Sequence, residues 1–266
     1  MISGVRRRIN TAVEFSSSNV LLLTAGYGSQ QLPISKTPLT PNTMPQDSEW
    51  NDTARSELRE TLRNFIVGEV RLAKSSHDDI IQTCREVYIE DGCPMEECES
   101  FVRFASDELK NAEAEHLAAK ATWPPETDCD RLDDVEATLR GRGILLWQVS
   151  PCCDSCTVGE LPDRIEVLEQ RYPGFRNKVR GYAFFIDQNM ADMLAEDTAV
   201  SVYLGYGWLS EDESSVAPDV YERNALGIAR EVCDCLHEHG IEANWDGSFS
   251  KKIGISLNWR RRTMLK

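Results

Sequence analysis

The spacing of apolar residues changes once along this chain, and that change limits the folds open to it. Between residues 51 and 122 the apolar residues recur every three or four positions, the spacing of amphipathic helices. Trp123-Pro124-Pro125 interrupts this pattern, because proline cannot continue a helix. Beyond it, short apolar runs and alternating apolar residues separate the helical stretches. The sequence therefore predicts an α+β fold.

Three segments follow from this change. Residues 1–50 are rich in Ser, Thr, Pro and Gln, and we expect them to be disordered, with Met1 or Met44 as the true start. Residues 51–122 should form a helical region. Residues 123–266 should form an α+β domain, with about five strands in a mixed, mostly antiparallel sheet and helices packed on one face of it.

Acidic residues outnumber basic ones, 44 against 29, for a formal net charge of −15. This balance argues against nucleic-acid binding, which needs a basic face. No apolar run is long enough to cross a membrane. Glycine-rich phosphate loops and the serine-hydrolase elbow are also missing from the sequence. The leading hypothesis is a non-enzymatic interaction or regulatory domain with an unknown protein partner.

Two charged clusters each have two interpretations. Asp128, Asp130, Asp133 and Asp134 would complement the dipole at a helix start, and a magnesium site is the alternative. Arg260, Arg261 and Arg262 would form a solvated basic end that can pair with the protein's own acidic surface, and binding of phosphate or of an acidic partner is the alternative. The sequence favours the first interpretation of both clusters.

Nine cysteines occur, an odd number at irregular spacing, which indicates a reducing compartment and favours the cytoplasm. Cys152, Cys153 and Cys156 cluster between a predicted strand and a predicted helix, where the helix N-terminus would stabilise a thiolate. Zinc binding, with Cys129 as fourth ligand, and thiol-redox chemistry are both open as alternatives to the interaction role. Reduced thiols that only pack at the strand end are the third interpretation.

Several motifs in a distinctive order carry a resemblance to a known family. They are Trp123-Pro124, the run from Thr127 to Leu132 with Gly143-Ile144, the cysteine cluster, Gly181 to Phe185, Tyr203 to Gly207, Trp245-Asp246-Gly247, and Trp259 to Arg262. Over roughly residues 55–262 the chain resembles an uncharacterised bacterial domain-of-unknown-function family. That family has no assigned activity, so the resemblance implies no reaction.

Overall fold

The structure is a computed structural model that describes residues 50–151, 153–210 and 216–265. The predicted disordered segment therefore lies outside the described residues, apart from Trp50, and so does Met44. Cys152 is also outside them.

The first described elements are helices. They are α1 (Asp52–Leu72), α2 (His77–Thr83), which continues as a π-helical stretch (Cys84–Ile89), and α3 (Met95–Lys120). Their apolar stripes meet in one cluster that contains Leu62, Ile66, Ile80, Phe101 and Ala105. None of the helices in the described part of the chain combines the length and the apolar content that crossing a bilayer requires.

The remaining elements alternate between helix and strand. They are α4 (Asp128–Gly141), β1 (Ile144–Ser150), α5 (Asp154–Arg171), β2 (Gly181–Ile186), α6 (Met190–Glu196), β3 (Ala199–Trp208), α7 (Pro218–Glu238), β4 (Ala243–Asn244) and β5 (Ile253–Asn258). The sheet order is β1-β2-β3-β5-β4. Among the described strands, β1 and β2 pair in parallel and the other neighbours are antiparallel. This confirms the predicted α+β fold, with helices first and a mixed five-stranded sheet.

Helices cover both faces of the sheet at β1 and β2, so the expectation that all of them pack on one face was wrong. Both strands are buried at nearly every position, which requires a layer on each side. The helices α4 and α7 supply one layer, through residues such as Leu132 and Val232. On the opposite face, Leu161 and Leu168 of α5 pack with Tyr182 of β2.

The basic end of the chain pairs with the acidic start of α4. Arg262 binds Asp130 with an N–O distance of 2.6 Å, and Arg261 binds both oxygens of Asp133 at 2.9 and 3.0 Å. Asp130 also caps α4 through the hydroxyl and backbone N–H of Thr127. Both arginines pair with the protein's own acids, as expected, but Arg261 is only 2% exposed, so the expectation of a solvated end does not hold for it.

The C-terminal half of α1 lies against α6. The Arg71 guanidinium donates to the carbonyl of Leu194 at 2.5 Å, and the indole N–H of Trp259 donates to the carbonyl of Arg71 at 3.2 Å. Gly68 is buried where the two helices meet, and a Cβ on it would overlap the carbonyl oxygen of Ala191. The absence of a side chain at residue 68 therefore sets how closely the helices approach.

Substitution by alanine should have opposite effects on stability at two helical glycines, because one lies at the close approach and the other has open space around it. Gly227 of α7 has open space around its missing Cβ, so Gly227→Ala should raise the free energy of unfolding by up to about 1 kcal/mol through helix propensity. Gly68→Ala should lower it by about 1–3 kcal/mol, because the methyl group must push α6 away. Urea denaturation of both variants measures the difference. Stabilisation by Gly68→Ala would show that the helices do not pack this closely.

Candidate dithiol site

The end of β1 departs from regular strand geometry. Val149 has a φ of 53°, in the left-handed region, and the pairing of β1 with β2 is irregular between Trp147 and Ser150. A β-branched residue in this region is strained by about 1–3 kcal/mol, so its surroundings must hold it there. Gln148 and Val149 both lie on the α4 side, whereas Ser150 faces α5. The irregularity thus reverses which face the last residue of β1 presents.

Ser150 holds this geometry in place. It is fully buried, and its Oγ lies 2.9 Å from Thr157 Oγ1 and 3.3 Å from the carbonyl oxygen of Phe185. Since a hydroxyl has one proton, Ser150 donates to the Phe185 carbonyl and accepts from Thr157. The Ser150 carbonyl in turn accepts from the N–H of Asp187 at 2.9 Å. These bonds tie the end of β1 to the first turns of α5 and to the end of β2.

Two thiols lie at the start of α5. Cys153 is the N-cap residue and Cys156 belongs to the first helical turn. Both are exposed, and Cys153 Sγ donates to Cys156 Sγ across 3.5 Å. A disulfide needs about 2.05 Å between the sulfurs, which side-chain rotation within one helical turn can supply. The positive end of the helix dipole favours a thiolate at this position.

A carboxylate lies between the two thiols in sequence. Asp154 Oδ2 accepts from Lys252 Nζ at 2.5 Å, and Lys252 immediately precedes β5. The second oxygen, Asp154 Oδ1, is buried and has no hydrogen-bond partner in the described part of the chain.

Most other described thiols lie in apolar surroundings. Burial raises the pKa of Cys84, Cys93 and Cys129 to about 12 and that of Cys233 to about 11. Burial also raises the pKa of Cys235. Deprotonation of these five thiols is therefore suppressed at neutral pH.

A second close pair provides an internal comparison. Cys93 Sγ and Cys98 Sγ are 3.6 Å apart, nearly the same distance as in the first pair. Both are partly buried, and each donates to a backbone carbonyl, Cys93 to Ile89 and Cys98 to Pro94. Distance alone therefore does not distinguish the two pairs, whereas exposure and position in the helix do.

The predicted zinc ligands are only partly brought together. Cys153 and Cys156 are adjacent, whereas Cys129 is 1% exposed in the core cluster beside α4. Cys152 lies outside the described residues. Among described residues, no third His, Cys, Asp or Glu ligand atom joins Cys153 and Cys156 within 4.8 Å. The zinc site therefore stays a prediction.

One other group of ligand atoms does come together in the described part of the chain, at the end of α7. It comprises Cys235, Glu238 and His239. Glu238 is already bound by Arg142 at 2.6 Å. His239 Nδ1 lies 2.8 Å from the Cys235 carbonyl, to which it donates, and Nε2 lies 3.3 Å from the hydroxyl of Thr138. Protein contacts therefore already engage one oxygen of Glu238 and both ring nitrogens of His239.

Sequence reasoning placed the thiols between a strand and a helix but missed the groups that support them. Asp154 lies inside the Cys-x-x-Cys segment and could have been noticed there. Nothing in the sequence indicates the contact with Lys252, which is 98 residues away. Valine rarely adopts the left-handed backbone conformation, so nothing in the sequence indicated the irregular end of β1.

The different surroundings of the two pairs predict different reaction rates with a thiol reagent. In the folded, reduced protein, Cys153 and Cys156 should react at least about tenfold faster than the buried thiols. The double variant Cys153→Ser/Cys156→Ser should lose two fast equivalents, and the matched control Cys93→Ser/Cys98→Ser should lose none. Absorbance-monitored labelling under native conditions measures this. A fast phase lost only in the control variant would contradict the assignment.

Comparison with known proteins gives a family and no activity. No curated protein matches this chain, and no solved structure matches it either. The sequence model of DUF6891, described as a domain of unknown function, matches residues 55–263 and so spans most of the chain. The chain therefore belongs to the DUF6891 family of domains of unknown function.

Proposed function

We propose that this protein is a thiol–disulfide redox protein that acts through Cys153 and Cys156. The observation that carries the proposal is the 3.5 Å separation of two exposed thiols at the start of α5. The strained strand end and the buried bonds of Ser150 support it, because they hold the start of this helix in one position. The substrate is a disulfide, in a partner protein or in a small molecule.

The proposed reaction is an exchange in two steps. Cys156 is the attacking thiolate, because it accepts the hydrogen bond from Cys153. Its sulfur attacks one sulfur of the substrate disulfide, forms a mixed disulfide and releases the other substrate sulfur as a thiolate. Cys153 then loses its proton and attacks Cys156, which releases the second substrate thiolate. The substrate gains two electrons and two protons, and the protein holds a Cys153–Cys156 disulfide.

The cycle requires a thiol reductant of the glutathione class, which returns the protein disulfide to the dithiol. We therefore also propose a cytoplasmic location, where that reductant is abundant. An interaction or regulatory role without chemistry stays a prediction, as does the absence of nucleic-acid binding. Zinc binding at the cysteine cluster is the alternative function, and the same experiments must distinguish it from the redox reaction.

Oxidised glutathione tests the proposed reaction directly. The reduced protein should consume it and form an internal Cys153–Cys156 disulfide, which peptide mapping by mass spectrometry identifies. Cys153→Ser should instead accumulate a mixed disulfide with glutathione at Cys156, because the resolving thiol is missing. Cys156→Ser should react at least about tenfold more slowly.

The control for this experiment is Cys93→Ser, which should react like the unsubstituted protein. Failure of Cys153→Ser to trap glutathione at Cys156, with its fold intact by circular dichroism, would contradict the mechanism. One equivalent of zinc that blocks the reaction until a chelator removes it would favour the zinc alternative instead.

A further inference from the structure

An ion pair joins the dithiol segment to a distant part of the sheet. Lys252 Nζ donates to Asp154 Oδ2 at 2.5 Å. Asp154 is the first residue of α5, and Lys252 immediately precedes β5. In the sheet, β2 and β3 lie between β5 and β1, the strand that α5 follows. The ion pair therefore connects two elements that strand pairing does not bring together.

The alternation of side chains along β5 explains why this lysine reaches the dithiol segment. Ile253 is buried in the core cluster on the α4 and α7 side of the sheet. Since successive side chains of an extended chain point to opposite faces, Lys252 lies on the other face, which is the α5 side. The Lys252 side chain is 28% exposed and that of Asp154 is 37% exposed. Because both groups are partly removed from water, salt screens their attraction less than that of a fully exposed pair.

The Asp154 carboxylate would oppose the dithiol chemistry if it had no counter-charge. Cys153, Asp154 and Cys156 all lie at the first turn of α5. The pitch of a helical turn is about 5.4 Å, which is shorter than the screening length of about 8 Å in physiological salt. A negative charge at this distance disfavours a thiolate. The salt bridge with Lys252 supplies the positive charge that offsets this effect.

Two other acidic groups lie close to the thiols along the chain or in space, and neither supplies a positive charge. Asp187, whose N–H donates to the Ser150 carbonyl, is bound by Lys74, so that pair adds no net charge. Glu160 is exposed one helical turn beyond Cys156, on the same side of the helix, and adds a negative charge. Compensation of the Asp154 charge therefore falls to Lys252.

We propose that Lys252 is a positioning residue of the dithiol site, which holds the Asp154 carboxylate in an ion pair so that a thiolate can form at Cys156. This inference rests on the proposed redox function. Lys252 acts through Asp154 and takes no part in the exchange of sulfur bonds. The ammonium group and the positive end of the α5 dipole then favour the same ionised form of the thiol.

The pH profile of thiol labelling tests this role in the reduced, chelator-treated full chain. Iodoacetamide is uncharged, so the midpoint of the fast labelling phase reports the ionisation of the exposed thiols. Lys252→Met should move the midpoint up by at least about 0.5 pH unit, because the carboxylate loses its counter-charge. Asp154→Asn should move the midpoint down, because the ammonium group then lacks the carboxylate. A role in folding alone would lower the stability of both variants without opposite shifts of the midpoint.

Two further variants and a control complete the experiment. Lys252→Arg should keep the midpoint of the unsubstituted protein, because the charge is retained. Asp154→Asn/Lys252→Met should return the midpoint close to that value, because neither charge remains. The matched control is Lys251→Met, which removes the same charge one residue away and should leave the midpoint unchanged.

The outcomes distinguish this inference from the redox proposal on which it rests. An unchanged midpoint in Lys252→Met, or an equal shift in Lys251→Met, would overturn the role of Lys252. The redox proposal would survive that result if oxidised glutathione still produced the Cys153–Cys156 disulfide. Absence of a fast labelling phase from the unsubstituted protein would overturn both.

Discussion

The hydrogen bonds of the buried Ser150 hydroxyl are the interactions on which the position of the dithiol site depends. A buried hydroxyl without partners costs about 1–3 kcal/mol, and here it joins three elements, β1, β2 and α5. To reach them, the chain must turn at Val149 into a backbone conformation that valine disfavours. The strained backbone at Val149 is therefore what allows Ser150 to form its hydrogen bonds, and together they determine where α5 begins.

The same irregularity determines how β1 continues into α5. Gln148 precedes the irregularity and lies on the α4 side, where its amide donates to Glu136. Because Ser150 returns to the α5 side, the next residues begin a helix with its first turn exposed. A regular strand end would have placed Ser150 with Gln148 on the α4 side. One residue of irregular backbone thus places Ser150 against α5, ahead of the exposed pair of thiols.

The fold class could be read from the sequence because it follows from local periodicity. The change near Trp123 predicted helices first and a mixed sheet second, and both are present. The covering of both faces could have been inferred from β1, because Gln148 is the one polar residue between Ile144 and Val149 and neither face is polar throughout. The π-helical stretch has no comparable signal in the sequence. Its hydrogen bonds join residues five apart rather than four, as in the bond from the Glu90 N–H to the Arg85 carbonyl, and no residue type marks that change.

The sites were less predictable because they depend on contacts between distant residues. The spacing of Cys153 and Cys156 predicted a close pair, but exposure and neighbours separate it from Cys93 and Cys98. The arginines at the chain end suggested a solvated segment that could pair with the protein's own acidic surface, but not which acids they would meet. Arg261 is buried because Asp133, 128 residues earlier, lies opposite it. Composition cannot show such a pairing.

The most direct measurement is the equilibrium of the full chain with buffers of reduced and oxidised glutathione, followed by acid quenching and peptide mapping of every disulfide. The account predicts that a Cys153–Cys156 disulfide forms reversibly as the buffer becomes more oxidising, while Cys93 and Cys98 stay reduced over the same range. Formation of the Cys93–Cys98 disulfide first, or of no Cys153–Cys156 disulfide at any ratio, would contradict it.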